Sequence, residues 1–533
     1  MNYDPLEYPY PSRRTVSYAK NGMVCTSQPL AAQAGLEILK KGGNAIDAAI
    51  ATASTLTVVE PTSNGLGGDG FALFWSDGEL HGLNSSGFAP KDISIEKVKE
   101  DGNDEMPKYG WTPVTVPGIP GAWVELSKNH GKLPFDEVLQ PAIEYAEEGY
   151  PISPTLGKYW GYAYKAYSKL DGEEFKNWFD TFAPKGRAPK IGEIWRSKEH
   201  AESLRKIAET KSRSFYEGEL AEKIDEFSKK YDGYLRKEDL ESFEPEWVEP
   251  LSVDYRGYDV WELPPNGQGI IALMALNIAK GFEFEEKESI ETYHKQIESL
   301  KLAFSDGKKY ITDPEHMGIS FDELLSKDYA AERREMIGEK AIEPEPGKPK
   351  DRGTVYLAAA DNEGNMISYI QSNYMGFGSG LVVPGTGIAL QNRGNTFSLN
   401  HDEANSLVPR KRTYHTIIPG FLTKYGKPVG PFGVMGGYMQ PQGHMQVIMN
   451  TIDFNHNPQA ALDAPRWRWD EGKKVNAESS MKNHIVRGLV RKGHDMKYAV
   501  HSGGFGRGQI IWKEDDVLAG GTEPRTDGHI ASW

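Results

Sequence analysis

A glycine followed by a threonine, Gly353-Thr354, stands where a Pro- and charge-rich run gives way to an apolar one, Thr354-Val-Tyr-Leu-Ala-Ala-Ala360. Glycine leaves its carbonyl open to attack, so the Thr354 hydroxyl can move the peptide to an ester that water then opens. The product carries Thr354 at a new N-terminus. Its α-amine, with an ordinary pKa of about 7.7 to 8.0, titrates near neutrality and can take the proton from its own hydroxyl. Taken alone, so common a dipeptide reads first as the start of a plain hairpin strand; the case for chemistry rests on its surroundings.

The elements that must position Thr354 follow from periodicity and punctuation. Glu343 to Arg352 is too rich in Pro and charge for helix or central strand and reads as an exposed linker. Beyond it, Thr354 to Ala360 and Met366 to Ser372 flank Asp361-Asn-Glu-Gly364, a hairpin with a four-residue turn. Further strands are expected at Gly387 to Leu390, His415 to Leu422, Gln509 to Trp512 and Val517 to Leu518. A glycine loop is expected at Met435-Gly-Gly437, followed by a helix from about Gln442 to Ile452. Upstream, Ser27 and Pro29 open a helix that Gly42-Gly43 closes. A second helix, Ala45 to about Thr57, has the small side chains of a central, buried element. Tyr293, Ile297, Leu300 and Phe304 mark one buried helical face. Residues 160 to 245, rich in Lys, Glu and Tyr, read as a solvated helical region with an exposed charged face.

Composition sets limits. The 533 residues suffice for three or four domains of about 150 residues each, or for one large layered unit. A net charge of −15 argues against nucleic acid, whose binding rests on Lys and Arg releasing counterions, and leaves small molecules as the natural partners. The single cysteine, Cys25, allows no intramolecular disulfide. The first fourteen residues lack a signal-peptide pattern and no segment approaches the roughly twenty apolar residues of a membrane span, so a cytoplasmic location is expected. Gly65-Leu-Gly-Gly-Asp-Gly70 matches GxGxxG, but a dinucleotide fingerprint follows a strand and opens a helix, whereas Phe71 to Trp75 reads as strand; a crowded tight loop fits better. The histidines show no zinc spacing, and no cofactor is implied.

Gly42-Gly-Asn-Ala-Ile-Asp-Ala-Ala49 and Glu60-Pro-Thr-Ser-Asn-Gly-Leu-Gly-Gly-Asp69 resemble the N-terminal signature of the γ-glutamyltranspeptidase family of N-terminal-nucleophile hydrolases. The resemblance continues through Leu133-Pro134, Gln140 to Ile143, Ala146 to Gly149, Tyr255 to Tyr258, Leu325 to Tyr329, Asn457-Pro458, Asp463 to Arg466 and Gly521 to Arg525. It therefore spans nearly the whole chain. It implies an α+β fold, a four-layer αββα sandwich. The precursor would be cut into a large subunit of residues 1 to 353 and a small one of residues 354 to 533, intertwined as one unit, with a dimer of such heterodimers open. On the family pattern Thr354 matches the nucleophile, Ser372 a hydroxyl residue that supports it, and Gly436 and Gly437 the oxyanion-hole amides.

The chain departs from the transpeptidase pattern in the pocket. Ser86 stands where the family has an arginine that grips the glutamyl α-carboxylate, Thr396 replaces an acidic residue, Tyr374 an asparagine, and His415 and Thr416 two consecutive serines. Without that acid and that arginine the charge-assisted grip on an amino-acid head group is lost. What remains resembles the cephalosporin-acylase-like and oxamate-amidohydrolase-like branch of the family. Arg393 is a candidate to hold an acidic acyl group from another direction. The expected function is hydrolysis of a γ-glutamyl, glutaryl or oxamate-like amide; the alternatives are an uncleaved, silent binder of small acids and a nucleotide-dependent enzyme using Gly65 to Gly70.

Overall fold

Every residue of the helix Ala45–Val59 is buried, as its small side chains lead one to expect. The preceding helix, Pro29–Lys40, crosses it so closely that a Cβ on Gly35 would lie 2.2 Å from Thr52 Oγ1. The structure is a computed structural model that describes residues 9–11, 14–344 and 354–533. Gly353 and all but the first two residues of the expected linker lie outside the described residues.

Helix Ala45–Val59 is fastened at both ends to the strands that follow Thr354. Asn44 and Asp47 form a capping box at its start, and Asp361 Oδ2 accepts the Ala45 N–H at 2.8 Å. At its end, Gln371 Nε2 donates to the Ala53 carbonyl (2.8 Å) and to Asn64 Oδ1 (2.7 Å), while Asn64 Nδ2 donates to the carbonyls of Leu56 and Glu60. Asp361 closes the strand Val355–Asp361 and Gln371 lies in Met366–Ser372, so the expected hairpin is present and clamped to the helix. Both strands are buried along their whole length, so Val355–Asp361 reads as an apolar run without alternation, while Met366–Ser372 also buries Ser368, Gln371 and Ser372.

Two seven-stranded sheets form the middle of the molecule. The first runs, in spatial order, His529–Ser532, Gly22–Thr26, Val355–Asp361, Met366–Ser372, Asp69–Ser76, Glu79–Ser85 and Glu246–Val248; the second runs Ser17–Ala19, Val517–Thr522, Arg507–Glu514, Lys427–Met435, Gly420–Lys424, Tyr258–Glu262 and Leu251–Tyr255. Helices Pro29–Lys40 and Ala45–Val59 cover the outer face of the first sheet, and Gly269–Ala279, Met439–Ile452 and Pro458–Asp463 that of the second; the inner faces pack on each other. The result is the expected four-layer αββα sandwich. Each sheet takes strands from both sides of Thr354.

Some elements differ from expectation. Gly387 to Leu390 forms only isolated bridges, Ala389 with Val382 and Leu390 with Gly67, because Gly385 and Gly387 turn the chain through positive φ. The strand expected from His415 begins at Gly420: before it, the His415 amide donates to the Asn266 carbonyl and the Ile418 amide to Gln440 Oε1, so these groups are committed to loops and side chains. Residues 160 to 245 carry their charge outside but bury Trp160, Trp178, Phe182 and Trp195, with Phe377 packed 4.5 Å from Phe182. The final strand, His529–Ser532, was not anticipated. The Gly65-to-Gly70 segment follows a helix and opens a strand, the reverse of a dinucleotide turn. A Cβ on Gly67 would meet the Ala389 carbonyl at 2.4 Å, so close backbone approach explains that glycine.

Candidate active site

The hairpin register decides who faces Thr354. Val355 lies opposite Gln371, so Thr354 falls opposite Ser372. Thr354 is buried and its Oγ1 donates to Ser372 Oγ at 3.4 Å; the Tyr374 N–H donates to the same oxygen at 2.8 Å. The inner faces of the two sheets meet behind this hairpin: a Cβ on Gly430 would lie 3.0 Å from Met366 Cε, and Ser368 Oγ donates to the Phe432 carbonyl at 3.4 Å. Gly436 and Gly437 form the turn from Lys427–Met435 into helix Met439–Ile452, at φ of 137° and 59°, conformations that favour glycine. Amides at the start of a helix also share its positive end.

A chain of contacts joins the other candidates. Gln268 Nε2 donates to the carbonyls of Gly437 (2.9 Å) and Thr416 (2.6 Å), while its Oε1 accepts the Tyr414 hydroxyl (2.8 Å). Arg393 Nη1 donates to Thr416 Oγ1 at 2.8 Å, and its guanidinium lies 4.2 Å from the Tyr374 ring centre. Arg393 is fully buried, and its Nε and Nη2 have no hydrogen-bond partner among the described residues. Burial pulls this guanidinium down to about 9 while Asp69 pulls it up, so it stays charged at neutral pH. Thr396 Oγ1 donates to the Arg393 carbonyl at 2.8 Å and shares a hydrogen bond with Thr413.

His415 and Ser86 sit one step further back. His415 Nε2 donates to Asp69 Oδ2 at 3.0 Å and its Nδ1 accepts the Ile417 N–H at 3.4 Å, which fixes a neutral imidazole; burial and Arg393 hold its pKa well below the ordinary value. Asp69 also accepts from the Gly87 N–H and Gln391 Nε2, and burial pushes its carboxyl up to about 7. The Ser86 hydroxyl donates to Asn84 Oδ1 at 2.7 Å and lies 3.3 Å from Asn266 Oδ1, so it is occupied within the protein. Gln268, Asp69 and Asn266 were not singled out from the sequence, although Gln268 and Asn266 share the Pro264-to-Gly269 loop and Asp69 ends the Gly-Leu-Gly-Gly-Asp motif.

Of metal-ligand groupings among the described residues, His294, Glu298 and His494 come within 4.8 Å of one another. Lys301 Nζ pairs with Glu298 at 2.7 Å, His294 Nδ1 meets His494 Nε2 at 2.8 Å and His294 Nε2 meets the Gly338 carbonyl at 2.9 Å. Protein groups meet most of that network, His494 Nδ1 alone among its ring nitrogens lacking a partner among the described residues, and it reads as structural.

The αββα sandwich, with a buried threonine at the head of an inner strand and a serine paired opposite it, is the architecture of the N-terminal-nucleophile hydrolases. The chain belongs to the gamma-glutamyltranspeptidase family, whose profile matches residues 31–533. It is 38% identical over 518 residues to the glutathione hydrolase-like YwrD proenzyme of Bacillus subtilis, covering 95% of this chain and 97% of that protein. It is 31% identical to the oxamate amidohydrolase proenzyme of Klebsiella pneumoniae, covering 96% and 98%. The solved cephalosporin acylase of Bacillus halodurans is 64% identical, with a TM-score of 0.96 over 100% of this chain and 99% of that one. Among the described residues, no helix is long and apolar enough to cross a membrane.

Proposed function

We propose that this chain is a proenzyme that cuts itself between Gly353 and Thr354, and that the freed Thr354 hydrolyses an amide of a small acidic acyl group. Residues 1–353 would form the large subunit and 354–533 the small one, folded together. Thr354 Oγ1 attacks the amide carbonyl while its α-amine takes the hydroxyl proton. The resulting oxyanion is held by the amides of Gly436 and Gly437. As the C–N bond breaks, the α-ammonium returns its proton to the departing amine, leaving an acyl ester on Thr354. Water then attacks this ester, losing a proton to the α-amine; the C–O bond to Thr354 breaks, its hydroxyl is reprotonated and the acid is released.

The observation that carries this reading is the cross-strand contact of the buried Thr354 with Ser372. The acidic acyl group is supported by Arg393, whose two unanswered N–H groups in a buried site favour a carboxylate. Tyr374 and Thr416 contact that guanidinium, and Thr396 holds the backbone carbonyl of Arg393; His415 and Ser86 are bonded within the protein, to Asp69 and Asn84. Glutaryl, γ-glutamyl and oxamate amides are the candidates, with γ-glutamyl the weakest because Thr396 stands where an acidic residue would read its α-amine.

The test is Thr354→Ala assayed against that panel. We expect a single full-length chain and no turnover, with Thr354→Ser retaining part of both reactions. Amide hydrolysis that survives in Thr354→Ala would refute Thr354 as nucleophile.

A further inference from the structure

The second sheet comes apart just before the glycine turn. Strand Lys427–Met435 pairs with Gly420–Lys424 only as far as Phe432, which faces Gly420, while on its other side it stays paired with Arg507–Glu514 through Met435. Continued, the first register would set Ile418 opposite Val434. Instead the Ile418 N–H donates to Gln440 Oε1 at 2.9 Å and the Val434 N–H to His444 Nε2 at 3.1 Å. Gln440 and His444 stand four residues apart on helix Met439–Ile452, which follows Gly436 and Gly437. Two side chains of one helix thus answer two amides that the ladder has ceased to pair.

The acceptor at position 444 is itself fixed. His444 Nδ1 lies 2.6 Å from Glu262 Oε1, and both side chains are buried. Because Nε2 accepts from a backbone amide, the ring proton sits on Nδ1 and is donated to the carboxylate. Glu262 ends the strand Tyr258–Glu262, whose register with Gly420–Lys424 sets it opposite Gly420. His444 therefore bridges that strand to Lys427–Met435 across the end of the strand between them. There is little slack around it: a Cβ on Gly443 would lie 2.6 Å from Val434 Cγ1, one on Gly420 2.6 Å from Phe432 Cζ, and the Phe432 and His444 ring centres are 5.1 Å apart.

The turn itself is tied on its helix side. The Gly436 carbonyl accepts the Met439 N–H at 3.1 Å and the Gly437 carbonyl the Gln440 N–H at 3.2 Å, beside the bond from Gln268. We propose that His444, held by Glu262, is a positioning residue for this turn from its strand side: by accepting the Val434 N–H where the partner strand has ended, it sets where the Gly436 and Gly437 amides lie. The inference rests on reading those amides as oxyanion donors. Moving them weakens a hydrogen bond made to the transition state more than one made to bound substrate, so the loss falls on kcat rather than on KM.

The test replaces both partners, Glu262→Leu with His444→Leu, so that no buried carboxylate is left unpaired. On the best amide of the panel above, kcat should fall about tenfold while KM changes by less than about twofold and the thermal midpoint stays near that of the unaltered protein. Glu262→Leu with His444→Gln, which returns an acceptor, should recover part of kcat. An unchanged kcat in the leucine pair, or a loss confined to KM, would overturn the proposal. If that pair does not fold, His444→Leu alone, in which Glu262 can take up a proton, is read in the same way. Hydrogen exchange on the unaltered protein keeps the two readings apart. Failure to turn over any amide of the panel counts against the amidase reading alone; a Val434 amide that exchanges as slowly as paired amides of its strand supports the anchor, and one that exchanges like an exposed loop overturns it.

Discussion

Two clefts that meet at the Gly436–Tyr438 turn carry charge in opposite ways. The cleft lined by Tyr374 and Thr396 carries Asp104, Glu105, Asp402 and Glu403 beside Lys99 and His401, whereas Arg393, which stacks on Tyr374, is fully buried with two N–H groups that meet no partner among the described residues. In the cleft lined by Met375 and Gly436, Arg468 and Arg507 are on the wall and are paired with Asp470 and Glu60. Exposed rim charges are screened within roughly 10 Å at ordinary salt, whereas a buried one is not. The acidic rim should therefore slow the entry of an anion more than it weakens its binding, and Arg393 should dominate selectivity. The paired or exposed cations of the other cleft should contribute smaller, salt-sensitive increments.

The turn between the clefts offers the largest effect. Gly436→Ala forces a side chain onto a residue at φ of 137° and sets its Cβ 3.1 Å from Gly506 Cα. If the amide is displaced from the oxyanion, kcat should fall about 100- to 1,000-fold, with an unchanged thermal midpoint separating this from a folding defect. Next comes Arg393→Met, which should lower kcat/KM for an acidic acyl group relative to a neutral one of equal length by about ten- to a hundredfold, the range for a lost charge-assisted hydrogen bond. An unchanged ratio would remove the basis for contrasting the two sides.

The smallest effect concerns Glu60, which backs Arg507. Burial raises its carboxyl from 4.5 to about 7, against the pull of Arg507. Between those values the folded chain keeps a proton that the unfolded chain has released, so stability from this group is present at low pH and declines as pH rises through that window. Glu60→Gln should flatten that part of the pH dependence, read from denaturant midpoints at several pH values.

Much of the site was legible in the sequence because it is local. Thr354 and Ser372 lie at equal distance from Glu363 in the hairpin turn, so a regular hairpin pairs them, and Gly436-Gly437 sits between a strand and a helix as expected. What stayed hidden depends on contacts far apart in the chain. Gln268 reaches Thr416 and Gly437 only because the strand Tyr258–Glu262 pairs with Gly420–Lys424 and brings the Pro264-to-Gly269 loop alongside. Nothing local to Arg393 announces that it is buried, and nothing local to Ser86 shows that Asn84 and Asn266 occupy its hydroxyl. The strand expected at Gly387 to Leu390 failed where glycine turns outweighed a short apolar pattern. The buried ion pairs of Arg466, Glu478, Glu523 and Arg525 explain structurally why the Asp463-to-Arg466 and Gly521-to-Arg525 motifs occur together.

The most direct test of the central claim is the intact mass of the purified protein followed during incubation near neutral pH. The account predicts conversion of the full-length chain into two species whose masses sum to its own plus one water, the smaller beginning at Thr354. A full-length chain that persists unchanged would contradict it.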